Sequence, residues 1–361
     1  MTQVTIVGGF PPPVHGMAVI NSCMARLLAQ HASSLLVFDT SAGTLGRGLA
    51  YHGLRLRRYA AAAWGILTQG KRGGRLYLGL SGGFGQIYDL LIVALARTKG
   101  LNVAIHHHSY AYITRTSRLT RVLIAAASEQ CVHVALSVDM ATRLSEIYGI
   151  RRCRVISNAA FLDGEATSPP ARPLRTLGFL SNISAEKGVF EFISLVRACN
   201  ERGMEVKGML AGPFADDRVK EEVLAAIAES GIEYVGAKYG EEKQRFFEQI
   251  DVLVFPTQYV NEAEPVTIHE AMKCSNPVIA IARGAIPEVI EPSGGRAISP
   301  DDDFVSNSFA VLQDWVNSPE QFAAARRKAR ESFERCRENA SGDLRDLIRS
   351  FTSTTVSAGS M

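Results

Sequence analysis

Short apolar, β-branched runs alternate with segments of helical period along most of the 361 residues, break off once, and then begin again. In the first half "VTIVGGF" (4–10), "SLLVFDT", "RLYLGLSGG", "LNVAIHHHS", "VHVALS" and "RCRVISNAA" read as strands. "MAVINSCMARLLAQH" (17–31) and "DLLIVALARTKG" carry helical spacing, the latter closed by Gly100. The break is "DGEATSPPARP" (163–173), rich in proline and small residues as linkers are. Beyond it "LRTLGFLSN", "EVKGMLAG", "IEYVG", "DVLVFPT" and "PVIAIA" alternate with "GVFEFISLVRACNERG", "DDRVKEEVLAAIAESG", "EEKQRFFEQ" and "VTIHEAMKC". Helical segments follow near 304–317, 319–339 and 341–351, and a Ser/Thr-rich tail is expected to be disordered. Strands that alternate with helices pair in parallel. The expected fold is therefore α/β with two doubly wound, Rossmann-like domains, residues 1–165 and 172–340. Residues 341–361 are expected to supply a helix packing back on the first domain, and the tail. In open sheets of this kind ligands lie at the carboxyl ends of the strands, so the loops there are the places to search.

Composition narrows the class. An apolar fraction of 47% with 21% charged residues is that of a soluble globular chain. No apolar run approaches the roughly 20 residues a membrane-spanning helix needs. "TQVTIVGGF" reads as a first strand rather than a signal peptide, so a cytoplasmic location is expected. The six cysteines form no C-x-x-C pair and read as free thiols, and no metal site is expected. The net charge of +3 conceals a division. Residues 1–160 hold 17 Lys and Arg against five acids, a net of +12, and the remainder 22 against 31, a net of −9. Two halves of opposite sign point to different partners.

Four constellations sit where ligands are expected. "GGFPPPVHGMA" (8–18) follows the first strand; Gly9 and Gly16 let backbone approach a ligand, and the helix after Gly16 presents free N–H groups. It departs from G-x-G-x-x-G, which disfavours a dinucleotide, and it serves equally as an ordinary strand-to-helix turn. "AIHHHSY" (104–110) places His106, His107 and His108 at a strand end, where alternation lets at most two share a face. "FLSNISAEKGVFEF" (179–192) sets Lys187 at a helix start, an arrangement that suits a phosphate or, equally, a solvated capped turn. In "EAEPVTIHEAMKCSNPVIA" Pro265 precedes a helix, Val266 and Thr267 form its first turn, Glu270 lies one turn in, and Glu262 stands in the loop before. Carboxylates accept from hydroxyls, so paired hydroxyls of a sugar are natural partners there; acids early in a helix also complement its dipole without any ligand.

Taken together these motifs resemble retaining glycosyltransferases of family 4, with the GT-B fold, in which two Rossmann-like domains face a central cleft. "EAEPVTIHEAMKCSNPVIA" is similar to the family's E-x7-E signature, "SAEKG" to its P-E-K-G phosphate loop, and "GGFPPPVHGM" to its first loop. "RVISN", "MLAGP", "EYVGAKYGEEKQRFFEQIDVLVFPT" and "GAIPEVI" extend the likeness from residue 4 to about 290. The resemblance implies that Glu262 holds hydroxyls of the transferred sugar, Glu270 the ribose, and Lys187 the leaving diphosphate. It places Gly236–Tyr239 beside the base and Gly16 near the sugar and diphosphate. It makes His107 the first-domain catalytic histidine, with a one-residue shift to His106 or His108 left open. Asn182 stands where the family often has a diphosphate-binding arginine, so one phosphate contact loses its charge.

The implied reaction moves a sugar from a UDP- or GDP-linked donor to an acceptor hydroxyl with retention, without metal or cofactor. The acceptor is read as a saccharide, a lipid-linked one of envelope polysaccharide or lipopolysaccharide synthesis in particular. "GLAYHGLRLRRYAAAAWGILTQGKRGGRL" mixes arginines with apolar residues and suits either an anionic membrane surface or a solvated basic face. Nucleic acid is not expected as a partner. The rivals are a nucleotide-sugar-binding protein without transfer activity and a GT-B epimerase.

Overall fold

The structure, a computed structural model, describes residues 2–43, 49–166, 172–228 and 230–352. The centre of the proline-rich stretch and the Ser/Thr-rich tail lie outside the described residues. The chain forms two compact units, one of the described residues up to Phe161 together with those from Asn339 onward, the other Leu162–Glu338.

The first unit is built on β1 (Gln3–Gly8), β2 (Ser34–Asp39), β3 (Arg75–Leu80), β4 (Asn102–His107), β5 (Val132–Ala135) and β6 (Cys153–Val155), all parallel, in the order β2-β1-β3-β4-β5-β6. The second is built on β7 (Thr176–Leu180), β8 (Lys207–Ala211), β9 (Ile232–Tyr234), β10 (Val252–Phe255), β11 (Val278–Ile281) and β12 (Arg296–Ile298), again parallel, in the order β12-β11-β10-β7-β8-β9. Central strands such as β1, β10 and β11 are buried along their whole length. Helices on both faces produce that burial, which is why these runs are continuously apolar and do not alternate. The expected pair of doubly wound parallel sheets is the observed architecture.

Strand order reverses between β1 and β3 in one sheet and between β7 and β10 in the other. The chain leaves such neighbouring strands in opposite directions, which opens a crevice at their carboxyl ends.

The end of the chain differs from the sequence expectation. Segments expected at 319–339 and 341–351 are one 34-residue helix, Pro319–Thr352. Gly342 costs a helix interior about 1 kcal/mol relative to alanine. Leu344, Leu347, Ile348 and Phe351 are all buried just beyond it, and each such side chain contributes roughly 1.5–3 kcal/mol when removed from water. Arg154 also pairs with Asp343 at 3.2 Å. Packing therefore overrides the local break.

A charged clasp registers β7 against β10. The Asp251 carboxylate accepts from the backbone N–H groups of Arg175 (2.9 Å) and Thr176 (2.8 Å), and meets Arg172 Nε at 2.5 Å. Arg172 also donates to the carbonyls of Glu248 and Ile250. Asp251→Ala strands two N–H groups and a guanidinium, so a loss of about 3 kcal/mol is expected. Denaturant unfolding followed by the fluorescence of buried Trp315, in a Trp64→Phe background, measures it; an unshifted midpoint removes the clasp from the account.

Candidate functional site

In the second unit the loops after β7 and β10 meet over the point of reversal. After Leu180 the chain makes a short turn, Ala185–Lys187, capped by Ser184, whose hydroxyl accepts from the Lys187 N–H. Gly188 then adopts φ 81° and opens the helix Val189–Glu201. A Cβ at this position would lie 2.0 Å from the Pro256 carbonyl oxygen, so only glycine lets the two loops approach this closely. Gln258 N–H donates to the Glu186 carbonyl at 2.8 Å and completes the seam.

On this seam Lys187 Nζ meets Glu262 Oε2 at 2.5 Å. Thr257 Oγ1 donates to the same oxygen at 3.2 Å, and the ammonium lies 4.8 Å from the centre of the Tyr259 ring. Both charges retain some solvent access, 23% and 13% of their side chains, so a ligand can reach them. The Glu262 loop is braced from beneath. Gly284, at φ 51°, lies where a Cβ would be 2.2 Å from the Glu262 carbonyl oxygen, and Ala285 N–H donates to Ala263 O.

The helix Val266–Lys273 starts at this loop. Its cap is Pro265, in extended conformation and without a side-chain hydrogen bond. The N–H groups of Val266 and Thr267 have no acceptor within the helix and carry the positive end of its dipole. One turn along, Glu270 Oε1 pairs with Lys243 Nζ at 2.6 Å, while Oε2 is buried with no donor among the described residues. Burial raises the Glu270 pKa, and Lys243 pulls it back. Lys243 belongs to the helix Gly240–Gln249, which follows the loop holding Gly236, at φ 79°, and the exposed Tyr239. Asn182 is half-buried in the loop after β7, and its side chain makes no hydrogen bond among the described residues. Beneath the site Glu264 and His269 form a buried pair at 3.0 Å.

The structure thus brings Lys187, Glu262 and the Pro265–Thr267 helix start together, with Glu270 one turn away. Lys243, Thr257, Tyr259, Gly284 and the Glu264–His269 pair are additions that the sequence reading missed. Lys243 lies in "GEEKQRF", where neighbouring acids make it look like part of a solvated face. Its partner Glu270 is 27 positions on.

In the first unit Gly9 begins the loop after β1, and Gly16 opens the helix Gly16–Ala29, whose cap is His15. The Asn21 amide fills the space between Gly8 and Gly79 and donates to the Gly9 carbonyl at 2.9 Å, tying the ends of β1 and β3 together. The three consecutive histidines divide between faces. His106 and His108 lie against each other with ring centres 4.0 Å apart and planes tilted by 38°, and His106 Nδ1 meets the Tyr77 hydroxyl at 2.6 Å. His107 points the other way, fully buried. Its Nδ1 engages the Tyr112 hydroxyl and its Nε2 engages His133 Nδ1, each at 3.0 Å. Both nitrogens of His107 are therefore occupied inside the unit. Half-buried His108 stands beyond the strand end and is close enough to His15 for their charges to interact. Among the described residues no group of three or more His, Cys, Asp or Glu side chains is arranged for a metal.

The family model described as "Glycosyl transferases group 1" matches residues 168–331. No curated protein matches the sequence. Among solved structures, the Anabaena protein Alr3699/HepE in complex with UDP superposes with a TM-score of 0.72 at 15% identity, over 97% of this chain and 100% of that one. Its complex with UDP-glucose gives 0.70 at 15% identity, with the same coverage. Sucrose-phosphate synthase from Thermosynechococcus elongatus gives 0.69 at 14% identity, over 97% and 99%. The chain therefore has the fold of GT-B glycosyltransferases, and the group 1 match covers most of its second unit.

Burial keeps four imidazoles of the first unit neutral: His106 and His107 well below the ordinary range, His133 at about 4 and His108 at about 3. His15 is lowered as well. The unfolded chain protonates its histidines near 6.5. Below that value it binds more protons than the folded unit, so stability is complete above about pH 7 and falls with pH from there toward 4. Asp89, raised to about 6 by burial, works in the opposite sense, but it is one carboxyl against several imidazoles. Tyr77 and Tyr112, both raised by burial, do not titrate in this window. Each imidazole contributes up to about 2 kcal/mol at pH 5, so the melting temperature should fall by several degrees between pH 7.5 and 5.0. An unchanged value would refute a neutral buried cluster.

Proposed function

We propose that this protein transfers a sugar from a nucleoside diphosphate sugar to an acceptor hydroxyl, with retention of anomeric configuration. The observation that carries the reading is the Lys187–Glu262 pair beside an uncapped helix start, with the donorless oxygen of Glu270 one turn away. A diphosphate placed on the Val266 and Thr267 N–H groups would draw Lys187 to itself and free Glu262 for hydroxyls of the sugar. Ribose hydroxyls would supply the donor that Glu270 Oε2 lacks, and Gly236 and Tyr239 would flank the base. Because HepE was solved with UDP and UDP-glucose, the donor proposed is uridine-linked.

The barrier lies in breaking the anomeric C–O bond while negative charge gathers on the diphosphate. A fixed ammonium and aligned N–H groups stabilise that charge without reorganising. The departing diphosphate accepts the acceptor's proton, and attack on the same face retains configuration. Neutralisation by Lys187 and the helix start makes the reaction independent of added metal. Asn182 adds a hydrogen-bonding side chain but no charge. Of the three histidines, His108 is the better candidate for the catalytic role, since the ring nitrogens of His107 are both engaged. We further propose a lipid-linked saccharide acceptor, consistent with the basic first unit, and action at the cytoplasmic face of the envelope membrane.

Glu270→Ala should weaken UDP binding at least tenfold in titration calorimetry, because the ribose loses its acceptor; unchanged affinity would contradict its role. Lys187→Ala should lower turnover of labelled donor with lipid extract by about 10²–10³, with EDTA leaving the parent rate unaltered. His108→Ala should slow transfer more than Tyr112→Phe, which releases His107. Donor binding without any transferred product would favour a binding protein, and an altered free sugar nucleotide an epimerase.

A further inference from the structure

The helices Leu49–Gln69, Gln86–Thr98 and Arg118–Ala127 lie side by side in the first unit. Tyr59 stacks on Tyr88 with ring centres 4.9 Å apart, and Thr120 donates to Gln86 at 2.7 Å. The outer faces of the first two are apolar. Leu56, Trp64 and Leu67 recur on one side of the first helix and are 56%, 69% and 42% exposed. Phe84, immediately before the second helix, is 87% exposed, and Leu91 within it 58%. Of the fifteen large apolar side chains exposed among the described residues, seven belong to these two helices and the turn that leads into the second. Side chains of this size left in water over adjoining helices mark an interaction surface.

The charges around this face have one sign. The three helices contain a single acid, Asp89, which is fully buried on the Tyr59 hydroxyl and the Ser81 N–H. Exposed cations border the apolar area: Arg57 on the first helix, Lys71 and Arg72 just after it, Arg118 and Arg121 on the third. Among the described residues none of these five is held in an ion pair, whereas Arg58, on the other flank, is held by Asp39. No described helix is long and apolar enough to cross a membrane.

We infer that this face docks on an anionic lipid bilayer, with Trp64, Leu67 and Phe84 entering the interfacial region and the flanking cations resting among acidic headgroups. Apolar side chains supply burial, tryptophan suits the boundary between headgroup and chain, and each cation adds attraction that salt screens. The charge complementarity selects a bilayer over a second copy of the chain, because two copies face to face would oppose cation to cation. The inference shares with the proposed function only the idea of a membrane-borne acceptor; its evidence is the surface itself.

The full chain is mixed with phosphatidylcholine vesicles, with or without about one third phosphatidylglycerol, and sedimented. Binding at least tenfold stronger to the acidic vesicles is expected, declining as salt rises. Trp64 emission should shift to the blue and be quenched by brominated lipid, while Trp315, buried in the second unit, stays unaffected. Trp64→Ser with Phe84→Ser, and separately Arg57→Glu with Arg121→Glu, should each abolish sedimentation while melting temperature and UDP affinity stay unchanged. Equal recovery with both vesicle types, or undiminished binding by both variants, overturns the inference. So does light scattering that shows a dimer broken by the serine variant. Vesicle binding by a chain that fails to bind UDP would leave this surface standing and remove the donor reading instead.

Discussion

An ammonium and a carboxylate 2.5 Å apart, Lys187 and Glu262, sit over the point where the second sheet reverses its strand order. Parallel pairing sends every strand end to one edge, and the reversal leaves the loops after β7 and β10 as neighbours with nothing between them. The close approach at Gly188, the seam at Gln258 and the brace at Gly284 all hold these two side chains within reach of each other and of the helix start at Val266. A partly solvated pair of this kind contributes little to stability, since desolvation offsets most of its attraction. Its value is positional: each charge keeps the other in place until something better arrives.

The first unit solves the same topological problem with neutral groups. Asn21 fills the space at the β1–β3 reversal, and the histidines of β4 are buried on both faces of the sheet. Charged imidazoles so close together would repel and lose hydration, so burial holds them neutral and leaves hydrogen bonding as their chemistry. Tyr77, Tyr112 and His133 then fix ring orientations. A neutral ring still offers one N–H donor and one nitrogen acceptor for hydrogen bonds.

What could be read from the chain divides along physical lines. Both sheets were legible because buried parallel strands leave continuous apolar runs, and Gly100 marked where a helix stops. The Pro319–Thr352 helix was read as two, because Ser341 and Gly342 look like a stop until the burial of Leu344, Leu347 and Phe351 is known. Lys187 and Glu262 were found through motif resemblance, and only the folded chain shows that they touch. Lys243, Thr257 and Gly284 left no mark, since each matters through a partner distant in sequence or through backbone shape. Alternation along β4 limits two of the three histidines to one face. Which face is sealed depends on Tyr112 and His133, and no local rule supplies that.

Charge balance ties the candidate site together. Before any ligand binds, Lys187 neutralises Glu262 and Lys243 neutralises Glu270, so these four side chains carry no net charge beside the positive helix start. Asn182, where a cation would break this balance, is neutral. On the proposed reading, the incoming diphosphate brings two negative charges and a set of hydroxyls. The hydroxyls occupy the two carboxylates; at Glu262 that exchange releases Lys187 for the phosphate charge, while Lys243 stays on Glu270 Oε1. Neither half is favourable alone: a phosphate without hydroxyls would leave Glu262 bare, and a sugar without phosphate would strand Lys187. On that reading the site discriminates by requiring both functions in one molecule. An arginine at position 182 would weaken that requirement by letting phosphate bind without the exchange.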